Sequence, residues 1–234
     1  MRWLILSDIH GDLSALELIL ALSGPVDLLL VAGDLTHFGD IDEAKAAFSV
    51  LAQKNSPILA VSGNCDRDGV RMALESADFS VEGRSKEFRG FTFAGAGGGI
   101  RHHGMTPFEA TEDELEASLS AALDSCDRVA GSRLPGERLV IITHTPPNGT
   151  PLDRRGSSHT GSHAFRGILG ERSPFLWVSG HIHEARSLCT IGNSVLVNPG
   201  SVHDGFFASA EVDGTRPPLV RLESIDRSRG HLGE

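Results

Sequence analysis

The sequence predicts an α/β fold with a mostly parallel sheet, and three observations lead to that prediction. Short apolar runs typical of buried strands alternate with segments whose apolar residues recur at helical spacing. The resulting β-α-β-α-β order favours parallel strands joined by right-handed crossovers. Nearer the C-terminus, consecutive strand-like runs are separated by turn signals at residues 192–193 and 213–214, which predicts a second sheet.

The first third of the chain supplies the alternating strands and helices. Strands are predicted at residues 3–6, 28–32 and 58–61, because each is a short, continuous apolar run. A helix is predicted over residues 13–22, where leucine and isoleucine fall on one helical face, and another over residues 41–52.

The middle of the chain contains one strong helix signal and two long loops. Thr111 and Glu114 match a capping box, which predicts a helix that runs to about Cys126. Loops are predicted over residues 94–104 and 145–161, and loops of this length inside a compact domain are often functional.

The remaining strands lie in the second half of the chain. They are predicted at residues 139–142, 175–178, 188–191, 195–197, 206–212 and 219–222. We expect a single domain over residues 1–225, followed by a polar and frayed tail over residues 226–234.

Composition narrows the class of protein. The 234 residues are enough for one large domain, and a net charge of −10 provides no field for gripping long nucleic acid. No purely apolar run exceeds five residues, so no membrane span is predicted. Cys65, Cys126 and Cys189 lie far apart without a CxxC pair, which favours a reducing, cytoplasmic location.

Five short blocks contain residue types that bind metals, and each follows a predicted strand. The blocks are Asp8-Ile9-His10, Gly33-Asp34, Gly63-Asn64-Cys65-Asp66, His144 and Gly180-His181-Ile182-His183. The carboxyl ends of parallel strands gather at one edge of a sheet, so these blocks are expected to converge. Any one block alone would be an ordinary turn or structural residue, but all five in this order favour a metal site.

The spacing and chemistry of the blocks favour two metal ions. Asp8 and His10, like His181 and His183, are two positions apart, so in an extended backbone each pair projects to one side. Mixed oxygen and nitrogen donors suit Mn, Fe, Zn or Ni better than Ca. Seven candidate ligands exceed one tetrahedral ion and suit two metals about 3.5–4 Å apart that share a carboxylate.

Taken together, the five blocks resemble the calcineurin-like metallophosphoesterase superfamily, whose pattern runs DxH, GD, GNH[D/E], H and GHxH. The resemblance covers residues 3 to about 200, and Asn198-Pro199-Gly200-Ser201 is similar to small bacterial and archaeal members. It implies a four-layer α/β/β/α sandwich with two divalent metals. Manganese is the metal expected, with iron, zinc, nickel and magnesium as alternatives.

The resemblance also implies roles for individual residues. Asp8, His10 and His183 would hold the first metal, Asn64, His144 and His181 the second, and Asp34 would bridge them. The implied reaction is hydrolysis of a phosphoester by a hydroxide that bridges the two metals. The implied catalytic residues are Asp34, Asn64, Cys65, Asp66 and His144.

Cys65 departs from the family pattern, which usually has histidine at this position as a proton donor. A thiol has a reference pKa of about 8.5 against about 6.5 for imidazole, so Cys65 is the poorer proton donor near neutral pH. A subgroup of phosphodiesterases resembles this sequence in having cysteine here, which predicts a small phosphodiester as substrate. The alternative is that Cys65 packs as a small buried apolar residue.

Other functions remain open at this point. The same site type could act on phosphomonoesters or on dinucleoside polyphosphates. A catalytically silent scaffold of this fold, such as the subunit in the retromer complex, would lack part of the ligand set, whereas all seven ligands are present here.

The two long loops supply candidate contacts to substrate. Arg101, His103, Arg154 and His159 are predicted to bind it. The expected partner is a small phosphate ester, with nucleotides among the candidates, and neither long nucleic acid nor a membrane is expected. A homo-oligomer is left open.

Overall fold

The computed structural model describes residues 1–101, 104–214, 217–226 and 231–233. Its helices are α1 (Leu13–Leu22), α2 (Ile41–Leu51), α3 (Asp68–Ser76), α4 (Glu112–Ala130) and α5 (His163–Arg172). Its strands are β1 (Arg2–Leu6), β2 (Leu28–Ala32), β3 (Ile58–Val61), β4 (Ser85–Phe88), β5 (Phe91–Ala96), β6 (Gly99–Ile100), β7 (Glu109–Ala110), β8 (Leu139–Thr143), β9 (Arg154–Arg155), β10 (Ser158–His159), β11 (Leu176–Val178), β12 (Ser187–Ile191), β13 (Ser194–Asn198), β14 (Phe206–Glu211), β15 (Leu219–Asp226) and β16 (His231–Leu232).

The described strands form two large sheets and two small ones. The first sheet has the order β16-β15-β14-β1-β2-β3, in which β1, β2 and β3 are parallel. The second has the order β12-β13-β11-β8-β5-β4, in which β13, β11, β8 and β5 are parallel. The short pairs β9–β10 and β6–β7 lie outside these sheets.

The two large sheets pack face to face and each carries helices on its outer side. Trp3 of β1 contacts Phe91 of β5 edge to face, with ring centroids 5.3 Å apart, in the core between the sheets. Helices α1 to α3 pack on the first sheet through residues such as Leu16, and α4 and α5 pack on the second through residues such as Leu119. The predicted four-layer α/β/β/α architecture is therefore confirmed.

The strands that precede the metal-binding blocks lie where the sequence predicts them. Strands β2 and β3 coincide with the predicted runs, and β1 and β8 differ by one residue. The predicted C-terminal strands divide between the two sheets: β12 and β13 join the second, whereas β14 and β15 return to the first. The connection passes the end of β1, where the N–H of Val202 donates to the carbonyl of Ser7 at 2.9 Å.

Strand β5 occupies part of a segment that glycine content predicts to be a loop. It runs to Ala96 and pairs in parallel with β8. A Cβ on Gly95 would lie 2.5 Å from the carbonyl oxygen of Ile142 and 2.7 Å from a side-chain carbon of Val61. Glycine here serves close packing of a central strand between its neighbours, so the loop begins only after β5.

The helices match the sequence where their caps are strong. Thr111 and Glu114 form the predicted capping box of α4, which ends at Ala130, four residues beyond the predicted end, and is followed by Gly131 in the left-handed conformation. Helices α3 and α5 are not predicted from the sequence. Gly167 and Gly170 lower the helix propensity of α5, and it is stabilised instead by tertiary packing and by Ser162, which accepts a hydrogen bond from the N–H of Phe165.

The remaining features concern the tail and the cysteines. In the predicted tail, β16 pairs antiparallel with the end of β15, and the division into domain and tail stays a prediction. None of the described helices is long and apolar enough to cross a membrane. Cys65, Cys126 and Cys189 are free thiols.

Candidate metal centre

The five blocks meet at the carboxyl edge of the parallel strands, and several of their residues have unusual backbone conformations. Asp8, His10, Asp34 and His181 have φ values of 54°, 49°, 49° and 69°. Positive φ is uncommon for residues other than glycine and is retained mainly where the surrounding structure imposes it, often at functional sites. The fold therefore holds the backbone of these four residues in a strained conformation, at the edge of the sheet where the parallel strands end.

The first group of donors consists of Asp8, His10 and His183, whose ligand atoms lie within 4.8 Å of one another. The Nε2 atom of His183 is 3.2 Å from Oδ1 of Asp8 and 3.3 Å from Nε2 of His10. Three donor atoms so close together, two of them imidazole nitrogens, are arranged as for a shared cation.

The second group consists of Asp8, Asp34 and His144, all of them buried. Asp34 lies between the two groups, because its Oδ2 is 3.7 Å from Nε2 of His10 and 3.4 Å from Nε2 of His144. Oδ1 of Asp34 accepts a hydrogen bond of 2.7 Å from the N–H of Cys65, which fixes the orientation of the carboxylate.

Asn64 and His181 complete this side of the site. Oδ1 of Asn64 is 2.9 Å from Nε2 of His144, and the His181 ring lies 5.0 Å from the His144 ring. Nδ1 of His144 is 2.8 Å from the carbonyl oxygen of Ala32, an arrangement that holds the proton on Nδ1 and leaves Nε2 as a donor atom. All seven predicted ligands thus come together, and their role as ligands stays a prediction.

Buried atoms without partners indicate that this cluster fits a cation. Among the described residues, Oδ1 of Asp8 and Nδ1 of His10 are buried and form no hydrogen bond of acceptable geometry. Buried polar atoms are normally paired, because leaving one unpaired costs desolvation free energy. A carboxylate oxygen aimed at two imidazoles suits a divalent metal that accepts both donor types.

The electrostatics of the cluster are dominated by its carboxylates. Burial alone would lower the pKa of His144, but the charges of Asp34 and Asp8 raise it to about 9. Burial and the adjacent His144 lower the pKa of His181 to about 4. Burial would raise the pKa of Asp34, yet its contacts with His144 and His10 hold it well below the usual range. Next to Asp8 and Asp34 the site therefore favours positive charge, which a metal ion would supply, whereas His181 is neutral, as a metal ligand has to be.

Glycines in the blocks allow the loops to approach one another. A Cβ on Gly33, whose φ is +91°, would lie 2.5 Å from Nδ1 of His144 and 2.8 Å from Cα of Gly63. A Cβ on Gly63 would lie only 2.0 Å from Oδ1 of Asp34. The glycine that precedes Asp34 and the one that precedes Asn64 are thus required by close contact.

Cys65 and Asp66, both predicted to be catalytic, differ in their contacts. Cys65 contacts residues of the cluster directly, whereas Asp66 binds the backbone of the loops that carry them. Cys65 is 7% exposed, and its Sγ accepts a hydrogen bond from the side chain of Asn64 at 3.4 Å. Burial and the neighbouring Asp34 raise the pKa of this thiol, so it stays neutral. Asp66 is fully buried and accepts hydrogen bonds from Leu35, Thr36 and Gly63.

One residue near the cluster is missed by sequence reasoning. His37 is exposed, and its ring lies 5.4 Å from the His10 ring. His10, His37 and Cys65 form a third group of donor atoms within 4.8 Å of one another. The signal is its position three residues after Asp34, in a loop that leaves the site.

A cavity of about 450 Å³ opens beside Asn64 and His181. Of the predicted substrate-binding residues, His159 lines it, whereas Arg154 and Arg101 are exposed and do not. Arg101 lies 3.6 Å from Glu114. His103 lies outside the described residues. Arg155, which the sequence does not single out from its neighbour, also lines the cavity.

Sequence comparison agrees with this geometry. A family profile described as Calcineurin-like phosphoesterase matches residues 1–185. The uncharacterized protein MJ1162 of Methanocaldococcus jannaschii is 29% identical over 204 residues, which cover 85% of this chain and 88% of that protein. The family resemblance predicted from the five blocks is confirmed, whereas membership of a subgroup with cysteine at position 65 stays a prediction.

Solved structures share the fold. TT1561 of Thermus thermophilus superposes with a TM-score of 0.73 at 20% identity, covering 96% of this chain and 99% of that one. A protein of Danio rerio described as a dimetal phosphatase superposes with a TM-score of 0.59 at 14% identity, covering 94% and 98% of the two chains. At these identities the likeness shows the fold alone.

Proposed function

The chain belongs to the calcineurin-like phosphoesterase family, and we propose that it is a metal-dependent hydrolase of a small organic phosphodiester. The observation that carries the proposal is the position of Asp34, whose Oδ2 lies within 3.7 Å of both His10 and His144. A carboxylate between two sets of donors is what a pair of metals needs as a bridge.

The proposed metal sites use the seven residues of the cluster. The first metal would be held by Asp8, His10 and His183, the second by Asn64, His144 and His181, and Asp34 would serve both. Manganese suits this mixture of carboxylate, amide and imidazole donors, and iron, zinc, nickel and magnesium remain alternatives. When bound, two such ions would supply a nucleophilic hydroxide at neutral pH and neutralise the charge of phosphate oxygens.

The protein's own residues prepare the site for that chemistry. Nδ1 of His144 donates to the carbonyl of Ala32, which leaves Nε2 as the nitrogen that would bind a metal. The N–H of Cys65 holds Oδ1 of Asp34 and thereby directs Oδ2 to the centre of the cluster. Both contacts are buried and pre-formed, which limits the reorganisation needed during the reaction.

The proposed preference for diesters rests on the resemblance to phosphodiesterases that have cysteine at the position of Cys65. The buried Cys65 thiol, with a raised pKa, is a poor donor of a proton to a departing alkoxide. Substrates whose leaving group is stable as an anion are therefore favoured, and esters with a basic leaving group are disfavoured. We also propose a cytoplasmic location, because the three cysteines lie far apart without a CxxC pair.

The test compares two substrates with the same leaving group. The protein is treated with chelator, reloaded with Mn²⁺ and assayed on bis-p-nitrophenyl phosphate and p-nitrophenyl phosphate. We expect metal-dependent hydrolysis with a higher kcat/KM for the diester. A higher kcat/KM for the monoester would replace the diesterase proposal with a phosphomonoesterase, and no metal binding at all would favour a silent scaffold.

Two variants identify the site that is responsible. Asp34→Asn keeps the size of the bridging residue but removes its charge, and we expect it to lower kcat by about a thousandfold or more, in the range of losses for a metal-site charge. Asp42→Asn is the matched control, because Asp42 is an exposed carboxylate on α2. Normal turnover of Asp34→Asn with two metals bound would contradict the bridging role.

A further inference from the structure

The cavity beside Asn64 and His181 shares lining residues with the proposed second metal site. Its volume of about 450 Å³ lies within the usual range of about 300–1,000 Å³ for small-molecule sites. If the phosphoester binds at the metals, as the proposed function requires, one of its two ester groups would lie at or in this cavity.

The acidic residues of the cavity are engaged within its walls. Glu109 accepts hydrogen bonds of 2.9 Å from the N–H of Gly104 and 2.8 Å from that of Met105. Glu112 accepts hydrogen bonds from Ser162 Oγ at 2.5 Å and from the N–H of His163 at 2.9 Å. Because these carboxylates bind backbone and hydroxyl donors, their charge stabilises the loops that form the walls.

His159, another polar residue of the cavity, is held in place by a buried carboxylate. Asp153 is fully buried, and its Oδ1 lies 2.6 Å from Nδ1 of His159. The same carboxylate accepts hydrogen bonds of 3.1 Å from the N–H of Gly149 and 3.0 Å from that of Gly161. This arrangement holds the proton of the neutral His159 ring on Nδ1, toward Asp153, so Nε2 is left as a hydrogen-bond acceptor for a ligand in the cavity.

Arg155 supplies hydrogen-bond donors to the cavity. It lies on the short hairpin of β9 and β10, its side chain is 69% exposed, and its ion pair with Glu184 spans 3.5 Å. An ion pair between two exposed side chains is weak, so the guanidinium can turn to a ligand at little cost. It offers several N–H donors in one plane, which suits carbonyl or anionic oxygens.

Apolar side chains line the same cavity. Ile100 and Ile182 line the cavity, and Met105, which is largely exposed, lies at the same cavity. Methionine adapts its shape to different ligands, and isoleucine provides a rigid apolar wall. A cavity with apolar surface and a few convergent polar groups is typical of a site for an organic molecule.

We propose that this cavity binds the retained ester group of the substrate, an aromatic or heteroaromatic group that carries both a hydrogen-bond donor and hydrogen-bond acceptors. Its flat face would pack against Ile100 and Met105. Its donor would bind Nε2 of His159, and its acceptors would bind Arg155. The inference rests on the proposed phosphodiesterase function and adds the class of ester that the site selects.

The test uses two diesters that release the same p-nitrophenolate. One is thymidine 5′-(p-nitrophenyl phosphate), whose retained group is heteroaromatic and carries an N–H donor and carbonyl acceptors, and the other is methyl p-nitrophenyl phosphate. We expect kcat/KM to be at least about tenfold higher for the thymidine ester, as one charge-assisted and one neutral hydrogen bond would give. Equal values for the two esters would overturn the proposal, although the phosphodiesterase function would stand.

Variants assign any preference to the cavity. Arg155→Ala and His159→Asn should each reduce the ratio of kcat/KM for the thymidine ester to kcat/KM for the methyl ester about fivefold or more. Arg155 is exposed, so its variant is expected to fold. Arg84→Ala is the matched control, because Arg84 also forms an ion pair with an exposed glutamate, Glu75, at 2.9 Å. A preference that survives both cavity variants would contradict the proposal.

A binding measurement separates the two proposals if neither ester is hydrolysed. That result would contradict the proposed function, and thymidine 5′-monophosphate would then be titrated into the metal-loaded protein by calorimetry. Binding that His159→Asn weakens about fivefold or more would support the cavity proposal. Absent binding, or binding that the variant leaves unchanged, would overturn it.

Discussion

The carboxylate of Asp66 accepts a hydrogen bond of 2.9 Å from the N–H of Thr36 and another of 2.9 Å from the Thr36 hydroxyl. It also accepts the N–H groups of Leu35 at 3.2 Å and Gly63 at 2.8 Å. These donors belong to the loops that carry Asp34 and Asn64. Asp66 therefore joins two of the five blocks, and we propose that it acts by positioning them; its catalytic role stays a prediction.

Asp66→Asn is accordingly expected to lower the free energy of unfolding more strongly than it lowers kcat. The introduced NH₂ group would face two N–H or O–H donors whichever way the amide is turned, and we expect a loss of roughly 2–4 kcal/mol in the free energy of unfolding. The measurement is urea unfolding in the presence of chelator, so that weaker metal binding does not contribute.

Thr36→Val is the control for that experiment. It removes the hydroxyl donor to Asp66 but keeps the backbone N–H, and should cost about 1 kcal/mol. An Asp66→Asn protein with wild-type stability and a large loss of kcat would instead assign Asp66 a direct role in the reaction.

The close approach at Gly33 predicts a steric effect at the metal centre. A Cβ at this position would overlap the His144 ring, and its φ of +91° is unfavourable for alanine. Gly33→Ala should therefore cost about 3 kcal/mol of unfolding free energy and reduce metal occupancy.

Gly192→Ala separates backbone strain from contact. Gly192 has a φ of +59°, and a Cβ there meets no atom within 4 Å. Its variant should lose only about 1 kcal/mol and bind metal normally. Elemental analysis and thermal unfolding of both variants make the comparison, and equal losses would show that contact with His144 is unimportant.

Glu82 predicts a pH dependence of stability that is separate from the metal centre. Its side chain is 11% exposed, lies 3.6 Å from Arg71 and accepts the N–H of Ser62 at 2.5 Å. Burial raises the pKa of Glu82 above its ordinary value of 4.5. Because the pKa of Glu82 is higher in the folded state than in the unfolded state, its contribution to the free energy of unfolding is fully present below pH 4.5. That contribution is lost as the pH rises through the folded-state pKa.

Glu82→Gln should remove that dependence, because glutamine stays neutral and keeps an acceptor for Ser62. Relative to wild type, the variant should gain unfolding free energy as the pH rises from about 4.5 to 7. Glu87→Gln, at an exposed position on β4, is the control. Urea unfolding in chelator gives the slopes, and parallel curves for Glu82→Gln and wild type would refute the prediction.

Cys65 allows a test of packing against chemistry. If the neutral thiol only fills space, Cys65→Ala should cost about 1 kcal/mol of stability and leave kcat on the diester within about twofold. Cys65→His restores a proton donor and should raise monoesterase activity relative to diesterase activity. A tenfold loss of kcat in Cys65→Ala would place the thiol in the reaction, and an unchanged ratio in Cys65→His would leave it as packing.

Much of the fold and of the cluster follows from local sequence. Strands such as β2 and β3 are continuous apolar runs between turn signals, so both their ends and the blocks after them are readable. Parallel pairing then brings those blocks to one edge. This is why the sequence predicts that Asp8 and His183, 175 positions apart, meet, and their side chains lie 3.2 Å apart.

What the sequence does not reveal depends on tertiary contact. Gly95 reads as a loop residue, and only the carbonyl of Ile142 beside it explains glycine in a central strand. Helix α5 is masked by its two glycines. Arg154 and Arg155 are equivalent in sequence, yet only Arg155 lines the cavity, because side chains alternate along the hairpin. Loop contacts of this kind leave no periodic signal.

The left-handed backbone at Asp8 and Asp34 also limits how this protein can drift in evolution. After glycine, aspartate and asparagine adopt such a conformation at the least cost, so most other substitutions would strain the loops as well as remove a ligand. Aspartate to asparagine needs one base change and keeps the backbone. A descendant that loses catalysis but keeps the fold is thus expected to carry asparagine at position 8, at position 34 or at both. Asparagine at either position in a related sequence would mark inherited architecture without inherited chemistry.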